Sequence, residues 1–475
     1  MRRKTGRHEP SDELTTREII HLVERRLGQS MMKHQPGEVT MTSETTSGEQ
    51  RPERRCPVAH DFDPFEGMPH AFFADARRDR PVFFHEGLNA YVLTRYEDCR
   101  ALLTDTSGRV SARPAVMQHL NVAPSPAAMK IIADAGFPRV PGLVDVDGAV
   151  HQLNRRVTQA PFAPARIKYL EDFVREQTNM RLDAVLGAGE ADIVDTVLYD
   201  IPAAVIMRMM GLPDQEVEQI RAFRGPWATF VWGRPDESLQ IDTANAMVKF
   251  YQWAHRVTQQ RLDAPGDDLI SEVRRNADTL DPDGWPRERL DSFTLNMVMA
   301  GHETTANTAA YGMVALLSHL DQWQALTDDP SLIPNAVEEV LRYCTGVPTW
   351  RQRVVEELTF SGVTIPAGSL VYAALNSANR DEAIFGDDAE RFDIRRPAAR
   401  KNLTFGTGPH TCLGNNLARL ELKVILQELS RRVPSLRLVP DQHYAFPANT
   451  SQRGPEQVFV TWDVPAGAAR LAMAS

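Results

Sequence analysis

From about residue 290 to residue 317, apolar residues return every three or four positions, the longest helical run in the chain. At roughly 1.5 Å per residue such a helix reaches about 40 Å, the width of a whole domain. Its middle carries Ala300-Gly301-His302-Glu303-Thr304-Thr305, flanked by Met297, Val298, Ala306 and Ala309. An acid and two β-branched alcohols conflict with the apolar pattern around them. A buried carboxylate is costly unless it has a task or a partner. The threonine hydroxyls can bond carbonyls of the preceding turn and open the helix locally. Taken alone, the segment also fits a solvated helix face.

Helical spacing dominates residues 150–345, with Gly and Pro punctuating the ends. Two β-rich runs, 81–84 and 90–93, flank the turn-like 85–89 and predict a hairpin. Strands are predicted again at 358–363, 369–374 and within 437–464, and a last strong helix over 415–432. Although 475 residues could hold several domains, no repeat or low-complexity segment interrupts the interior. One mainly α domain with a small β-rich lobe is therefore expected over 61–465. Residues 1–60, rich in Arg, Glu, Thr, Ser and Gln with a short amphipathic stretch at 15–27, read as a disordered N-terminal tail, and 466–475 as a C-terminal tail. Met31, Met32 and Met41 leave open a downstream natural start.

A formal net charge of -10 with no long basic block argues against nucleic acid. No window approaches the roughly 18 apolar residues needed to span a bilayer, and Met1-Arg2-Arg3-Lys4 has no apolar core behind it, so no membrane and a cytoplasmic location are expected. Cys56, Cys99, Cys344 and Cys412 lie far apart without a Cys-x-x-Cys pair, which disfavours a zinc or redox motif. The first three read as small buried hydrophobes.

Cys412 differs in its surroundings. It closes Phe405-Gly406-Thr407-Gly408-Pro409-His410-Thr411-Cys412-Leu413-Gly414, a glycine-punctuated loop that runs into the 415–432 helix. Glycines let the backbone turn tightly against a flat ligand, and a helix start beside the sulfur lowers a thiol's pKa. A thiolate so placed suits an iron ligand. A Gly-rich loop before a helix could equally cradle a phosphate, against which stand the Cys-Leu-Gly ending and the lack of a Walker lysine.

The decapeptide matches Phe-Gly-x-Gly-x-His/Arg-x-Cys-x-Gly, the haem-binding signature of the cytochrome P450 superfamily, at every fixed position, and the chain resembles the bacterial soluble, ferredoxin-dependent type. The resemblance implies a single-domain cytochrome P450 fold and haem b (iron protoporphyrin IX) as cofactor. It makes Cys412 the axial ligand of the haem iron, His410 a donor to a haem propionate, and Phe405, Gly406 and Gly414 further cofactor-binding positions. Ala300 to Thr305 resembles the family's oxygen-activation segment, Ala-Gly-x-Asp/Glu-Thr-Thr. That likeness makes Glu303 and Thr304 the acid and alcohol that relay protons to dioxygen, and sets Ala300 and Gly301 against the cofactor, Gly301 leaving room for the ligand.

Glu339-Val340-Leu341-Arg342 is an i, i+3 pair of a kind common on exposed helices. By resemblance it is structural and is joined by Arg396. His151 and Arg155, one helical turn apart, resemble the family's His-x-x-x-Arg propionate clamp. A further arginine is expected before the 358–363 strand, but the usual position falls on Gln352, with Arg351 and Arg353 on either side. Arg353 is the preferred propionate partner and Arg351 the fallback.

The resemblance also sets the pocket roof in the 109–144 loop and in helices of 215–261, where Phe223, Trp227, Phe230 and Trp232 favour an apolar substrate, although core packing is the default for such side chains. No flavin or reductase segment is apparent, so ferredoxin and an NAD(P)H-dependent ferredoxin reductase are the expected partners, docking near Arg155, Arg156, Arg400, Lys401, Arg419 and Lys423. The implied reaction is a monooxygenation that inserts one atom of O2 into an apolar small molecule by hydroxylation, epoxidation or oxidative dealkylation. A peroxide-driven peroxygenase is disfavoured by Glu303-Thr304. A catalytically silent haem-binding partner or sensor is disfavoured by the intact Cys412 and Thr304.

Overall fold

A computed structural model describes residues 63–65, 69–113, 120–136, 140–221, 226–281 and 283–464. The expected tails at 1–60 and 466–475, and Cys56, lie outside them.

Among these residues helices dominate, and the strands form three small sheets. The largest is built from β1 Val82–His85, β2 Ala90–Leu93, β3 Val110–Ser111, β5 Thr349–Val354 and β8 Leu370–Ala374. These five strands lie in the order β1-β2-β8-β5-β3. β2 and β8 run parallel and the other neighbours antiparallel, so the chain leaves this sheet, builds the helical block and returns to it. Phe83, Val92 and Tyr372 pack on one side with Phe73 of the His70–Asp79 helix. Val82, Leu93 and Val371 pack on the other with Cys99 and Leu102 of the Tyr96–Thr104 helix. Burial on both faces explains why these strands read as continuous apolar runs without alternation. The hairpin closes through Asn89 at φ 47°, a left-handed residue that asparagine tolerates.

Two predicted strands are shorter than expected. Residues 358–363 form a hairpin of β6 Leu358–Phe360 and β7 Val363–Ile365, because Ser361 and Gly362 both take positive φ. In 437–464 only β9 Arg437–Leu438 and β10 Phe459–Thr461 pair, joined through β10 to β4 Glu190–Asp192. Pro440, Pro447 and Pro455 interrupt the rest, since proline donates nothing to a ladder.

The largest core cluster joins the Asp200–Met209, Arg287–Gly301, Glu303–Leu317 and Asn415–Arg432 helices. The last of these has the bounds predicted for it. The long 290–317 run does not stay continuous: it is two helices meeting at His302, where φ is -89° and ψ -76°. Among the described residues no helix is long and apolar enough to cross a membrane. Cys99 and Cys344 are free and buried, and desolvation pushes both thiols well above their usual range, as inert core residues require.

One buried acid has no such excuse. Glu421, on the inner side of the Asn415–Arg432 helix, is 1% exposed and its Oε2 has no hydrogen-bond partner among the described residues. Desolvation pushes its carboxyl up to about 8. An unfolded glutamate titrates near ~4.3, so the folded chain holds a proton there that the unfolded chain releases. The resulting stability is fully present below that value and is lost as pH rises through about 8. Glu421→Gln should therefore flatten the fall in thermal midpoint between about pH 6 and about pH 9, a difference worth a few kcal/mol. Parallel curves for parent and variant would contradict this.

Candidate functional site

The loop that carries Cys412 is held by backbone. The Cys412 N–H donates to the Phe405 carbonyl at 2.8 Å, and Asn415 Nδ2 donates to the Cys412 carbonyl at 2.7 Å. Gly408 has φ +77°, and a Cβ there would lie 2.6 Å from the Leu103 carbonyl oxygen, so the loop meets the Tyr96–Thr104 helix backbone to backbone. Gly406 also has positive φ, at +64°, and neither there nor at Gly414 does any atom lie within 4 Å of a Cβ position. Phe405 packs under the Arg419 guanidinium, 4.6 Å from the ring centroid. Burial pushes the Cys412 thiol up, while the Gly414 N–H, Arg155 and Arg419 act in the opposite direction. The lowered thiol expected from a helix start is thus not achieved by the protein alone, because desolvation outweighs the local dipole and the two arginines. A metal cation is the kind of charge that removes such a proton outright.

A buried ion pair anchors this loop from below. Glu339 and Arg342, both 0% exposed, meet through two contacts of 2.7 Å on the Ile333–Tyr343 helix. Arg396 reaches Glu339 Oε1 at 3.4 Å and Asp388 at 2.6 Å. Arg342 also donates to the carbonyls of Asn379 and Ala389, each at 2.8 Å. Asn379, fully buried, passes the constraint on: its Oδ1 accepts from Leu403 N at 2.6 Å and its Nδ2 donates to Thr404 Oγ1 at 3.0 Å, immediately before Phe405. Sequence reasoning missed Asn379, which belongs to no motif.

His151 and Arg155 occupy the Gly148–Thr158 helix. The His151 ring lies against that of His410, with centroids 3.8 Å apart, and its Nε2 is buried without a partner among the described residues. Burial, with His410 and Arg155 nearby, pushes His151 down to about 4, so the ring is neutral at ordinary pH. Asp147 joins the group, 3.9 Å from His410 Nε2, while accepting from Ser111 Oγ at 2.6 Å. An orphaned imidazole nitrogen beside Arg155 and a second imidazole fits a carboxylate such as a haem propionate. On β5, Arg351 is fully buried and donates to Asn121 Oδ1 and the Val231 carbonyl, each at 3.3 Å. Arg353 is half-buried, donates to the Gly368 carbonyl at 3.0 Å, and is paired across the ladder with Ser111, the residue bonded to Asp147. Gln352 is buried on the opposite side of the strand, its Oε1 without a partner among the described residues.

The polar island opens the long helix as its side chains dictate. Thr304 Oγ1 donates to the Ala300 carbonyl at 2.7 Å, and Thr308 Oγ1 to the Thr304 carbonyl at 2.8 Å. Ala300 is exposed and Thr304 half-buried in an otherwise core helix pair. Glu303 Oε1 accepts from the Tyr199 hydroxyl at 3.3 Å. A Cβ at Gly301 would lie 2.7 Å from Ile206 Cδ1, so what the missing side chain admits here is the Asp200–Met209 helix. Over the far side of Arg287–Gly301, an apolar cavity is lined by Trp227, Met247, Phe250, Leu295 and Met299. The 109–144 segment, read as a loop, contains the Pro126–Asp134 helix, tied to the Glu237–Asp263 helix by Ser125 N donating to Gln240 Oε1 at 2.6 Å.

Of the six cations expected at the donor-facing surface, Arg419 is taken by Glu338 at 2.8 Å and Lys423 by Glu171 at 3.0 Å. Arg155 faces Cys412 electrostatically, Arg156 and Lys401 are exposed, and Arg400 is exposed while lying 4.0 Å from Glu338.

A family model described as Cytochrome P450 matches residues 230–433. The chain is 34% identical over 305 residues to a steroid C26-monooxygenase of Mycobacterium tuberculosis, covering 64% of this chain and 81% of that protein. It is 32% identical over 354 residues to cytochrome P450 107B1 of Saccharopolyspora erythraea, covering 74% of this chain and 84% of that one. The solved P450 heme domain of Tepidiphilus thermophilus matches with a TM-score of 0.81 at 33% identity, over 86% of this chain and 98% of that one. The mainly α fold with its small β-rich lobe is common to both.

Removing one member of a buried ion pair strands the other. Glu339→Ala should cost about 3–5 kcal/mol in denaturant unfolding, because Arg342 and Arg396 lose their carboxylate in the core. A loss below about 1 kcal/mol, as for an exposed pair, would contradict the anchoring role.

Proposed function

Because the chain belongs to the cytochrome P450 family of haem b monooxygenases, we propose that Cys412 is the axial iron ligand and that Glu303 and Thr304 carry protons to dioxygen. The observation that carries this reading is the break at His302, where Thr304 holds the Ala300 carbonyl and Glu303 stands beside it on a hydrogen bond. Haem b, when bound, supplies the activation of O2 and the insertion of one oxygen atom into the substrate. The protein's own residues do the rest. His151, Arg155, His410 and Arg353 hold the propionates, a role supported by the unpartnered His151 nitrogen and by the Arg353–Ser111–Asp147 contacts. Phe405, Gly406 and Gly414 shape the loop against the ring, Ala300 lines the opposite wall, and Gly301 lets the Asp200–Met209 helix close behind it. Glu303 takes up a proton, and the Thr304 hydroxyl orients it towards the reacting oxygen.

The substrate is an apolar small molecule, a reading supported by the steroid named for one relative. A ferredoxin, reduced by an NAD(P)H-dependent reductase, delivers the electrons in the cytoplasm. Exposed Arg156, Arg400 and Lys401 would steer an acidic ferredoxin onto the thiolate side.

Reconstitution with an acidic ferredoxin and its reductase tests both halves. Reduction of the parent should slow as salt rises, and further in Arg156→Glu with Arg400→Glu. Thr304→Ala should bind substrate as the parent does yet divert most reducing equivalents to hydrogen peroxide. A reduction rate indifferent to salt and charge reversal would remove the ferredoxin from the reading; unchanged coupling of NAD(P)H to product would remove Thr304.

A further inference from the structure

The acid at the helix break is bonded from an element distant in sequence. Tyr199, 3% exposed, lies more than a hundred residues upstream and touches both the residue at the break and the acid that follows it. Its hydroxyl donates to Glu303 Oε1 at 3.3 Å. Its carbonyl oxygen is 2.9 Å from His302 Nε2, and its ring packs on the His302 ring with centroids 4.3 Å apart at 62°. His302 is the residue at which the two helices part, and it is also 3% exposed. Tyr199 therefore grips the junction by backbone, ring and hydroxyl together.

Its own placement depends on an unusual turn. Val194–Leu198 winds as a π-helical turn closed by Tyr199 N donating to the Val194 carbonyl at 2.9 Å, and the Asp200–Met209 helix comes directly after it. The extra residue in such a turn rotates the next residues relative to a plain α-helix, and π-turns recur at functional sites for that reason. Outside, Arg221 lies over the Tyr199 ring at 6.0 Å and bonds Asp195 and Asp200, each at 2.8 Å, fastening both ends of the turn.

We propose that Tyr199 is a positioning residue for the monooxygenase reaction: its hydroxyl fixes the Glu303 carboxyl at the break, one residue before Thr304. The proposal rests on the reading of Glu303 and Thr304 as the proton relay. Tyr199 does not touch the reacting atoms. It bonds the carboxyl directly, which is how a group one step removed can control a proton transfer.

Tyr199→Phe keeps the ring on His302 and removes only the hydroxyl. In haem-loaded, reconstituted protein it should raise the hydrogen peroxide share of NAD(P)H consumption severalfold and enlarge the solvent deuterium isotope effect on product formation. Substrate affinity and thermal midpoint should stay at parent values. Without turnover, the C–O stretch of the reduced carbon monoxide complex should broaden as the nearby carboxyl loses its fixed orientation. Glu303→Gln is the reference, and Tyr199→Phe added to it should change nothing further. If Glu303→Gln uncouples the enzyme while Tyr199→Phe behaves as the parent, the positioning role is overturned and the relay stands. An undiminished Tyr199→Phe effect in the Glu303→Gln background would also overturn it. If Glu303→Gln itself leaves coupling intact, the relay reading fails and the proposal with it. Should Tyr199→Phe lose haem, a fluorinated tyrosine at 199, which keeps the ring and acidifies the hydroxyl, should still shift the isotope effect; no shift would overturn the proposal.

Discussion

The charge pair Glu339–Arg342, withdrawn completely from water, is the contact on which the thiol loop depends. Two charges in a low-dielectric interior persist only when every remaining hydrogen-bonding direction is used. Arg342 uses its own on the carbonyls of Asn379, Ala389 and Arg391, and Arg396 closes the other side of Glu339. Asn379 then carries the position of that core to Leu403 and Thr404, one residue short of Phe405. Part of the loop's conformation is thus set by residues far from it in the chain. This is a specificity role: an apolar replacement could match the pair in stability, yet it could not direct three carbonyls and an asparagine at once.

The second constraint is opposite in kind. The long helix pair carries its polar residues where packing would prefer none, and the helix gives way at His302. Thr304 diverts a carbonyl, Gly301 lets the Asp200–Met209 helix approach, and Tyr199 bonds His302 at the break and Glu303 after it. A local loss of helix is offset by contacts from an element distant in sequence. Such conflicts between local preference and global fold concentrate at functional sites.

How far each signal extends along the chain decides which parts were legible in the sequence. Cys412, Gly406, Gly408 and the Asn415–Arg432 helix were readable because turn glycines, thiol and helix start are contiguous and each has a local physical reason. Glu339 and Arg342 were readable as a pair, since i, i+3 spacing sets them on one face; their complete burial was not, because a spacing says nothing of what covers it. The 290–317 run looked continuous, as periodicity continues across a break that only hydroxyls and a distant tyrosine produce. Tyr199, Asn379 and Asp147 were illegible: ordinary residue types, joined to the site by contacts across 104, 25 and 36 residues. The arginines around Gln352 remained paired alternatives because a strand's alternation puts 351 and 353 on the same side; Arg353 lies opposite Ser111 in the ladder, while Arg351 is buried against Asn121 and the Val231 carbonyl.

The claim that ties these parts together is that the anchored loop exists to present the Cys412 sulfur to haem iron. The most direct measurement is the absorption spectrum of the reduced carbon monoxide complex of the haem-loaded protein and of Cys412→Ser. A thiolate trans to carbon monoxide shifts the Soret band strongly to the red, and no other side chain in the loop gives that electronic structure. The account predicts the red-shifted band in the parent and its complete loss in Cys412→Ser. A variant that binds haem and keeps the band would contradict it.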